Sequence, residues 1–194
     1  MRRDLVKKIK SSFLSCEKDV ETILRRLFVE SRPHSDALKK LLVVNTKDCL
    51  SADISKYQNI IDGKTLRDLK EEGYIRLEPK ITFGEHEEVK SYILISFNNF
   101  TPNEKNPEFR DCTITFNIIC PTDYWDIGNY QVRPLKIAGY IDGILNGEKL
   151  SGIGELQFLG CNQLVLSDDL SGYLLMYQAI HSVDGDDKIP PLAS

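Results

Sequence analysis

Residues 137–158, IAGYIDGILNGEKLSGIGELQF, carry an amphipathic stripe into two close glycines and then into an apolar-polar alternation. Their reading decides the fold. A phosphate-binding loop runs strand, glycines, helix, because the anion rests on the free N–H groups and positive dipole end of a helix N-terminus. Here the order is helix, glycines, strand. Gly152-Ile153-Gly154 follows a helix C-terminus, whose carbonyls repel phosphate, and the third glycine position of a G-x-G-x-x-G pattern is Gln157. The pair therefore reads as a tight corner between a helix and the strand it packs on, and a nucleotide enzyme is not expected.

Working outward, Ile137, Ile141, Ile144 and Leu145 share one helix face, with Pro134 at the first turn and Asn146-Gly147 as the stop. Strands are expected at 154–159, 163–167 and 173–183, the last two joined by the turn Asp168-Asp169-Leu170-Ser171-Gly172. Upstream, Ile93, Ile95 and Phe97 alternate with Leu94, Ser96 and Asn98. Ile114, Phe116 and Ile118 alternate with Thr113, Thr115 and Asn117. A period of two predicts sheet strands, each with one buried face, at 92–98 and 112–119. Between them FTPNEKNPEFRD, residues 100–111, holds two prolines and little apolar content, and reads as a long exposed loop. A connection of that size usually exists to touch something.

The first 73 residues change period. Leu5, Ile9, Phe13, Cys16, Val20, Ile23, Leu24 and Leu27 recur at steps of three and four among charged residues, predicting a helix over about 3–29, roughly 40 Å long. Its Leu5, Ile9, Phe13, Val20 and Leu24 face is expected to pack on the same chain or on a neighbouring subunit. Arg32-Pro33 closes it. Ser35 reads as the cap of a second helix through Leu38, Leu41 and Leu42, and Asp62-Gly63-Lys64-Thr65 opens a third that stops at Gly73. Tyr74-Ile75-Arg76-Leu77 reads as a strand. The fold class is α+β: a mostly antiparallel sheet packed against helices, with a helical N-terminal extension over 1–73, the main domain over 74–183, and a flexible tail over 184–194.

Composition bounds the chemistry. The chain has 194 residues, 41% hydrophobic and 28% charged, ordinary values for a globular domain. No apolar run reaches the ~20 residues of a spanning helix, so no membrane partner is expected. Lys7, Lys8 and Lys10 interrupt the place of an apolar signal core, so neither a secretory signal nor a lipoprotein box at Leu14-Ser15-Cys16 is expected. Five cysteines without a C-x-x-C pair read as reduced thiols. The net charge of -4 is uneven: residues 1–40 hold 11 basic and 6 acidic side chains, the remainder 14 and 23. An acidic main domain repels a nucleic-acid backbone.

Candidate reactive groups each meet a plainer reading. His34, His86 and His181 stand far apart. Glu85-His86-Glu87-Glu88 follows Gly84 as a solvated turn, and Asp184-Gly185-Asp186-Asp187 lacks the ligand spacing of a calcium loop. His181 and Ser182 point to opposite faces of a strand. Trp125, with Tyr124 and Tyr130, reads as a core lid or subunit contact. TLRDLKEEGYIRL, residues 65–77, has the outline of a winged-helix segment, but Asp68, Glu71 and Glu72 offset Arg67 and Lys70. No metal, no cofactor and no catalysis are expected. A regulatory nucleic-acid-binding protein is the alternative that the winged-helix outline leaves open.

The stretch TITFNIICPTDYWDIGNYQVRPLKIAGYIDGILNGEKLSGIGELQFLGCNQLVLSDDLSGYLLMYQAIH, residues 113–181, resembles the tail-terminator and tail-completion proteins of tailed bacteriophages, also called neck or head-tail joining proteins. The likeness lies in element order, in the glycine corner and in the SDDLSGY turn, and extends from about Tyr92 onward. It implies a small α+β subunit that closes into a homo-oligomeric ring, commonly sixfold, at the neck or head-proximal end of the tail. The implied partners are further copies and neighbouring neck or tail proteins, with DNA only in passage; the implied location is the virion, assembled in the bacterial cytoplasm. A ring needs two different patches on each subunit. The 100–111 loop and an edge of the sheet are the expected ones: Phe100 and Phe109 as apolar anchors, Glu104, Lys105, Glu108 and Arg110 setting register at the rim.

Overall fold

A computed structural model describes residues 12–50, 54–78, 89–104, 109–150 and 152–182. It is an α+β protein in which a five-stranded sheet, mixed but mostly antiparallel, carries helices against one face. Helix α1 (Ser12–Arg25) runs into a π-helical turn (Arg26–Glu30), followed by α2 (His34–Val43), α3 (Ile54–Asp62) and α4 (Leu66–Glu71). Strands β1 (Ile75–Arg76), β2 (Tyr92–Pro102) and β3 (Phe109–Pro121) come next. After them lie α5 (Arg133–Leu145), a small hairpin β4 (Lys149–Leu150) and β5 (Gly154–Glu155), and the closing strands β6 (Gln157–Val165) and β7 (Leu170–Ser182).

The sheet order is β1-β2-β3-β7-β6, so β7, the last strand in sequence, lies in the interior. Register places Ile95, Phe116 and Leu175 in one row across three strands, and Phe97, Ile114 and Tyr177 in the next. These apolar rows meet Ile137, Ile141, Ile144 and Leu145 of α5. The phenol of Tyr177 donates to Asp142 Oδ1 at 2.7 Å, tying α5 to the sheet. Ile23, Leu24, Leu27 and Phe28 share this core with Leu38, Leu41 and Leu42, so the helices before Gly73 and the strands after it bury their apolar sides in one cluster. On the opposite face Tyr92, Leu94, Ile119 and Leu170 form a smaller cluster. Beside it Ser96, Asn98 and Thr115 hydrogen-bond among themselves.

Several expectations change in detail. Among the described residues the first helix is α over Ser12–Arg25 and π-helical over Arg26–Glu30; residues 1–11, with Leu5 and Ile9, lie outside them. Ser35 does not cap α2; it lies inside the helix, buried, and Pro33 holds the cap position without a side-chain bond. Helix α4 does open as expected: Thr65 and Asp68 close a reciprocal capping box. Of the residues read as an exposed loop over 100–111, 100–102 and 109–111 are strand, and 105–108 lie outside the described residues. Thr101 pairs with Asp111 and Pro102 with Arg110, because Asn99, at φ 54°, makes a bulge that carries β2 past its polar stretch. The strands expected at 154–159 and 163–167 are instead β5 and a single β6 with a bulge between Phe158 and Gly160. The 184–194 tail and the 85–88 acidic run lie outside the described residues.

The glycine corner is the turn between β4 and β5, so a strand rather than a helix follows it directly. Gly152 stands at φ +90°, and a Cβ there would lie 2.8 Å from Oδ1 of buried Asp19. Glycine is required twice over, by backbone conformation and by the close approach of α1. The turn drives Ile153 and Leu156 fully into the core.

Candidate interaction surfaces

Two ends of the sheet and one edge present side chains outward. At the first end, where β2 turns toward β3, the ring of Phe13 on α1 meets Phe100 edge-on, centroids 4.8 Å apart. The guanidinium of Arg110 lies 5.2 Å from the Phe13 ring centre. Phe100 also packs against the main core, and Phe109 is half-buried. Phe13, Phe100 and Arg110 are therefore brought together, linking the expected helix face to the expected loop. Glu104 is exposed, and Lys105 and Glu108 lie outside the described residues. Of the other expected packing residues, Leu24 is in the core and Val20 packs against its edge. Both also line an open groove of about 640 Å³ between α1 and α4, rimmed by Glu17, Glu21, Arg67 and Lys70.

At the other end of β3, a 3₁₀ turn (Thr122–Tyr124) leads into a tight loop. Asp126 and Val132 bridge across it, Asp126 Oδ1 accepts the Gly128 N–H at 2.8 Å, and Gly128, Asn129 and Tyr130 follow one another at φ 80°, 51° and 58°. A tyrosine in the left-handed region is uncommon and costs of order 1–3 kcal/mol. The strained turn holds Tyr130 fully exposed. Trp125, its neighbour in sequence, instead packs on the core margin and donates through Nε1 to the Cys120 carbonyl at 3.4 Å.

Beneath this loop Arg133 is fully buried. Its Nε donates to the Tyr124 carbonyl at 2.7 Å, Nη1 to those of Leu41 (2.6 Å) and Val44 (2.9 Å), and Nη2 to that of Thr46 (2.7 Å). Leu41 and Val44 end α2, so the cation sits at the negative pole of that helix, its fork filled by backbone carbonyls. The position reads in sequence only as the residue before Pro134; nothing local marks it as the joint between α2, the exposed loop and α5.

The third surface is the outer edge of β6, all of whose pairing within the described residues is with β7. Phe158, Leu159 and Val165 are exposed along it. The run of uncharged residues from 156 to 166 was visible in the sequence, but its division into two expected strands hid its length.

The thiols show what the interior does to ionisable groups. Burial pushes Cys112 and Cys120 up to about 12, and raises Cys49 as well. A thiol kept neutral in the fold contributes fully below its unfolded value of 9.0; the contribution is lost as pH rises from there toward the folded value. Between pH 8 and pH 10 the parent is expected to lose about 1 kcal/mol per buried thiol relative to a Cys112→Ala, Cys120→Ala variant. Urea midpoints for the two proteins at both pH values test this; equal losses would contradict it. Among the described residues no three His, Cys, Asp or Glu side chains gather as a metal site.

The winged-helix outline resolves into α4, six residues long, and β1, which pairs parallel with β2. A wing is an antiparallel hairpin. Two basic groups of this segment are engaged: Arg67 Nε lies 2.7 Å from Glu71, and Arg76 Nε donates to the Gly73 carbonyl at 3.2 Å.

A two-layer α+β fold with exposed aromatic side chains and, among the described residues, an open strand edge is the class that this architecture defines. Residues 35–179 match the sequence model of the YomW family, and the chain belongs to that family, which is of phage type, Bacillus phage SPbeta-like. No curated protein matches the chain.

Proposed function

We propose that the chain is a structural protein of a tailed-phage virion, a subunit of an oligomeric ring at the neck or head-proximal end of the tail, working by shape rather than by turnover. Tail termination or completion and head-tail joining are the roles this reading covers. The phage-type family supports the setting, and the resemblance of residues 113–181 supports the role. One observation carries the ring. The Phe13, Phe100 and Arg110 cluster and the Tyr130 loop stand at opposite ends of β3, a strand of 13 residues. The two ends of that strand are about 40 Å apart. Two unlike aromatic patches at opposite ends of one rigid element suit a head-to-tail contact, the kind that closes a ring. Aromatic anchors with a charged rim are the usual composition of such contacts. The acidic charge of residues 41–194 suits a ring that lets DNA pass without gripping phosphate.

Native mass measurement with negative-stain imaging tests this. The parent is expected to form closed rings. Tyr130→Asn, which keeps a residue tolerant of the left-handed backbone, is expected to abolish the closed rings with melting unchanged. A parent that stays monomeric at every concentration overturns the ring; a Tyr130→Asn ring as abundant as the parent's removes the loop from the contact.

A further inference from the structure

Strand β6 breaks the rules by which sheet edges avoid pairing. Native edges are guarded by charges, prolines or very short strands. Gln157-Phe158-Leu159-Gly160-Cys161-Asn162-Gln163-Leu164-Val165 has nine residues, with no charge and no proline. Its apolar side chains stand open: Phe158 is 48%, Leu159 51% and Val165 71% exposed. Nothing among the described residues pairs with its outer side, except that the Asn146 side-chain oxygen accepts the Phe158 N–H at 3.3 Å. The free edge therefore runs from 159 to 165.

We propose that β6 binds the β6 of a second copy of this chain, antiparallel, about a two-fold axis through Asn162. Side-chain parity requires the axis to pass through a residue, and cover of the exposed apolar side chains chooses which one. Phe158 lies opposite Tyr177 and Cys161 opposite Leu175, placing both on the helix-bearing face with Gln163 and Val165; Gly160 and Leu164, opposite Met176 and Gly172, belong to the other face. The bulge between Phe158 and Gly160 makes two residues of one strand face one of its partner. With the axis at Asn162, Cys161 meets Gln163, Gly160 meets Leu164, and the bulged pair Phe158-Leu159 meets Val165. Every pair shares a face, and the three exposed apolar side chains of each strand cover those of the other. Asn162 meets itself, and an amide, donor and acceptor at once, satisfies its own copy. An axis at Cys161 also matches faces, but it sets the bulged pair against Gln163 and leaves Val165 beyond the paired strand, so the exposed apolar side chains are not covered. No charge meets its like in the self-pairing, and main-chain bonds along the edge supply affinity. The strand is thus its own complement, which selects a second copy over an unrelated segment.

A two-fold contact cannot close a ring, which needs unlike patches. This pairing is independent of the ring reading and couples copies two by two.

Two variants of the full chain test it. In a Cys161→Ala background, Asn162→Cys is expected to give a covalent dimer under mild oxidation, since two-fold neighbours in a ladder lie within disulfide range; Ser167→Cys, beyond the strand, is expected to cross-link at least tenfold more slowly. Asn162→Lys, with two ammonium groups face to face, is expected to weaken pairing at least tenfold by native mass while melting as the parent does. Equal cross-linking of the two cysteine variants, or an Asn162→Lys mass distribution like the parent's, overturns the pairing. Rings as abundant in Tyr130→Asn as in the parent, with pairs lost in Asn162→Lys, sink the ring contact alone; loss of rings in the first variant and of pairs in the second, each with the other contact retained, bears out their independence.

Discussion

Gly172→Ala is expected to abolish the folded state. A Cβ at this position would lie 1.7 Å from the carbonyl oxygen of Ile118 and 2.8 Å from its carbon, both backbone atoms of the adjoining strand. Relief requires β3 and β7 to part, and they pair from Phe109↔Ser182 to Pro121↔Leu170 as the middle of the sheet. Gly172 also pairs with Leu164 on its other side, so β7 cannot retreat without disturbing β6. The loss should exceed about 4–5 kcal/mol, a large share of the ~5–15 kcal/mol that a domain has. Gly160→Ala is the control, because its Cβ would find only the flexible end of Met176 at 3.5 Å, an ordinary contact. Thermal unfolding followed by near-ultraviolet circular dichroism should show no cooperative transition for Gly172→Ala and a near-parental one for Gly160→Ala. A cooperative Gly172→Ala transition within a few degrees of the parent would show that the strands yield.

Arg133→Ala should be the next most damaging change. Alanine removes the guanidinium donors from the carbonyls of Leu41, Val44, Thr46 and Tyr124, three on the segment ending α2 and one on the turn below the Tyr130 loop; of these Val44 keeps the Thr46 N–H at 3.0 Å. Hydrogen bonds to a charged group contribute about 1.5–3 kcal/mol each, and their losses do not simply add. A total of about 4 kcal/mol is expected. Arg133→Lys should restore less than half of it, because an ammonium group cannot reproduce a planar fork reaching several carbonyls at once. Urea midpoints measure both. If lysine restores the parental midpoint, the site needs only a positive charge at the end of α2.

What could be read in the sequence follows from which forces are local. Helix α5 was legible because its apolar stripe, Pro134 and Asn146-Gly147 all lie within a few residues of one another, and α4 because Thr65 and Asp68 cap each other. The alternation of β2 and β3 marked their buried middles. Their outer ends were hidden: Asn99, Pro102 and Asp111 have turn-forming composition, and only the partner strand makes them ladder residues. Helix α3 passed unseen because its charged and polar surroundings at Lys56, Gln58 and Asn59 mask a stripe carried by Tyr57 and Ile61. The candidate surfaces divide in the same way. Phe100, Phe109 and Arg110 were picked out as aromatic and basic residues near prolines, but the meeting of Phe100 with Phe13 depends on how α1 crosses the sheet, 87 residues away in sequence. The fully buried Arg133 had no local signal, since an arginine at a helix start ordinarily faces water.

The interior position of β7 has a consequence for how the chain comes off the ribosome. Helices α1 to α4 and the β2-β3 hairpin are synthesised first, yet β3 keeps one side of its ladder open until the residues from Leu170 emerge, about 50 positions after the end of β3. At the ~5–20 residues per second of synthesis, several seconds pass in which the row Ile114, Phe116 and Ile118 has no neighbour on that side. Strand β6 emerges just before β7 and can turn back with it as a hairpin, so the sheet closes by the docking of a two-stranded flap rather than by the addition of single strands. In those seconds the nascent sheet has an unguarded inner edge, and it is there, rather than on the finished surface, that a chaperone would have the most to cover.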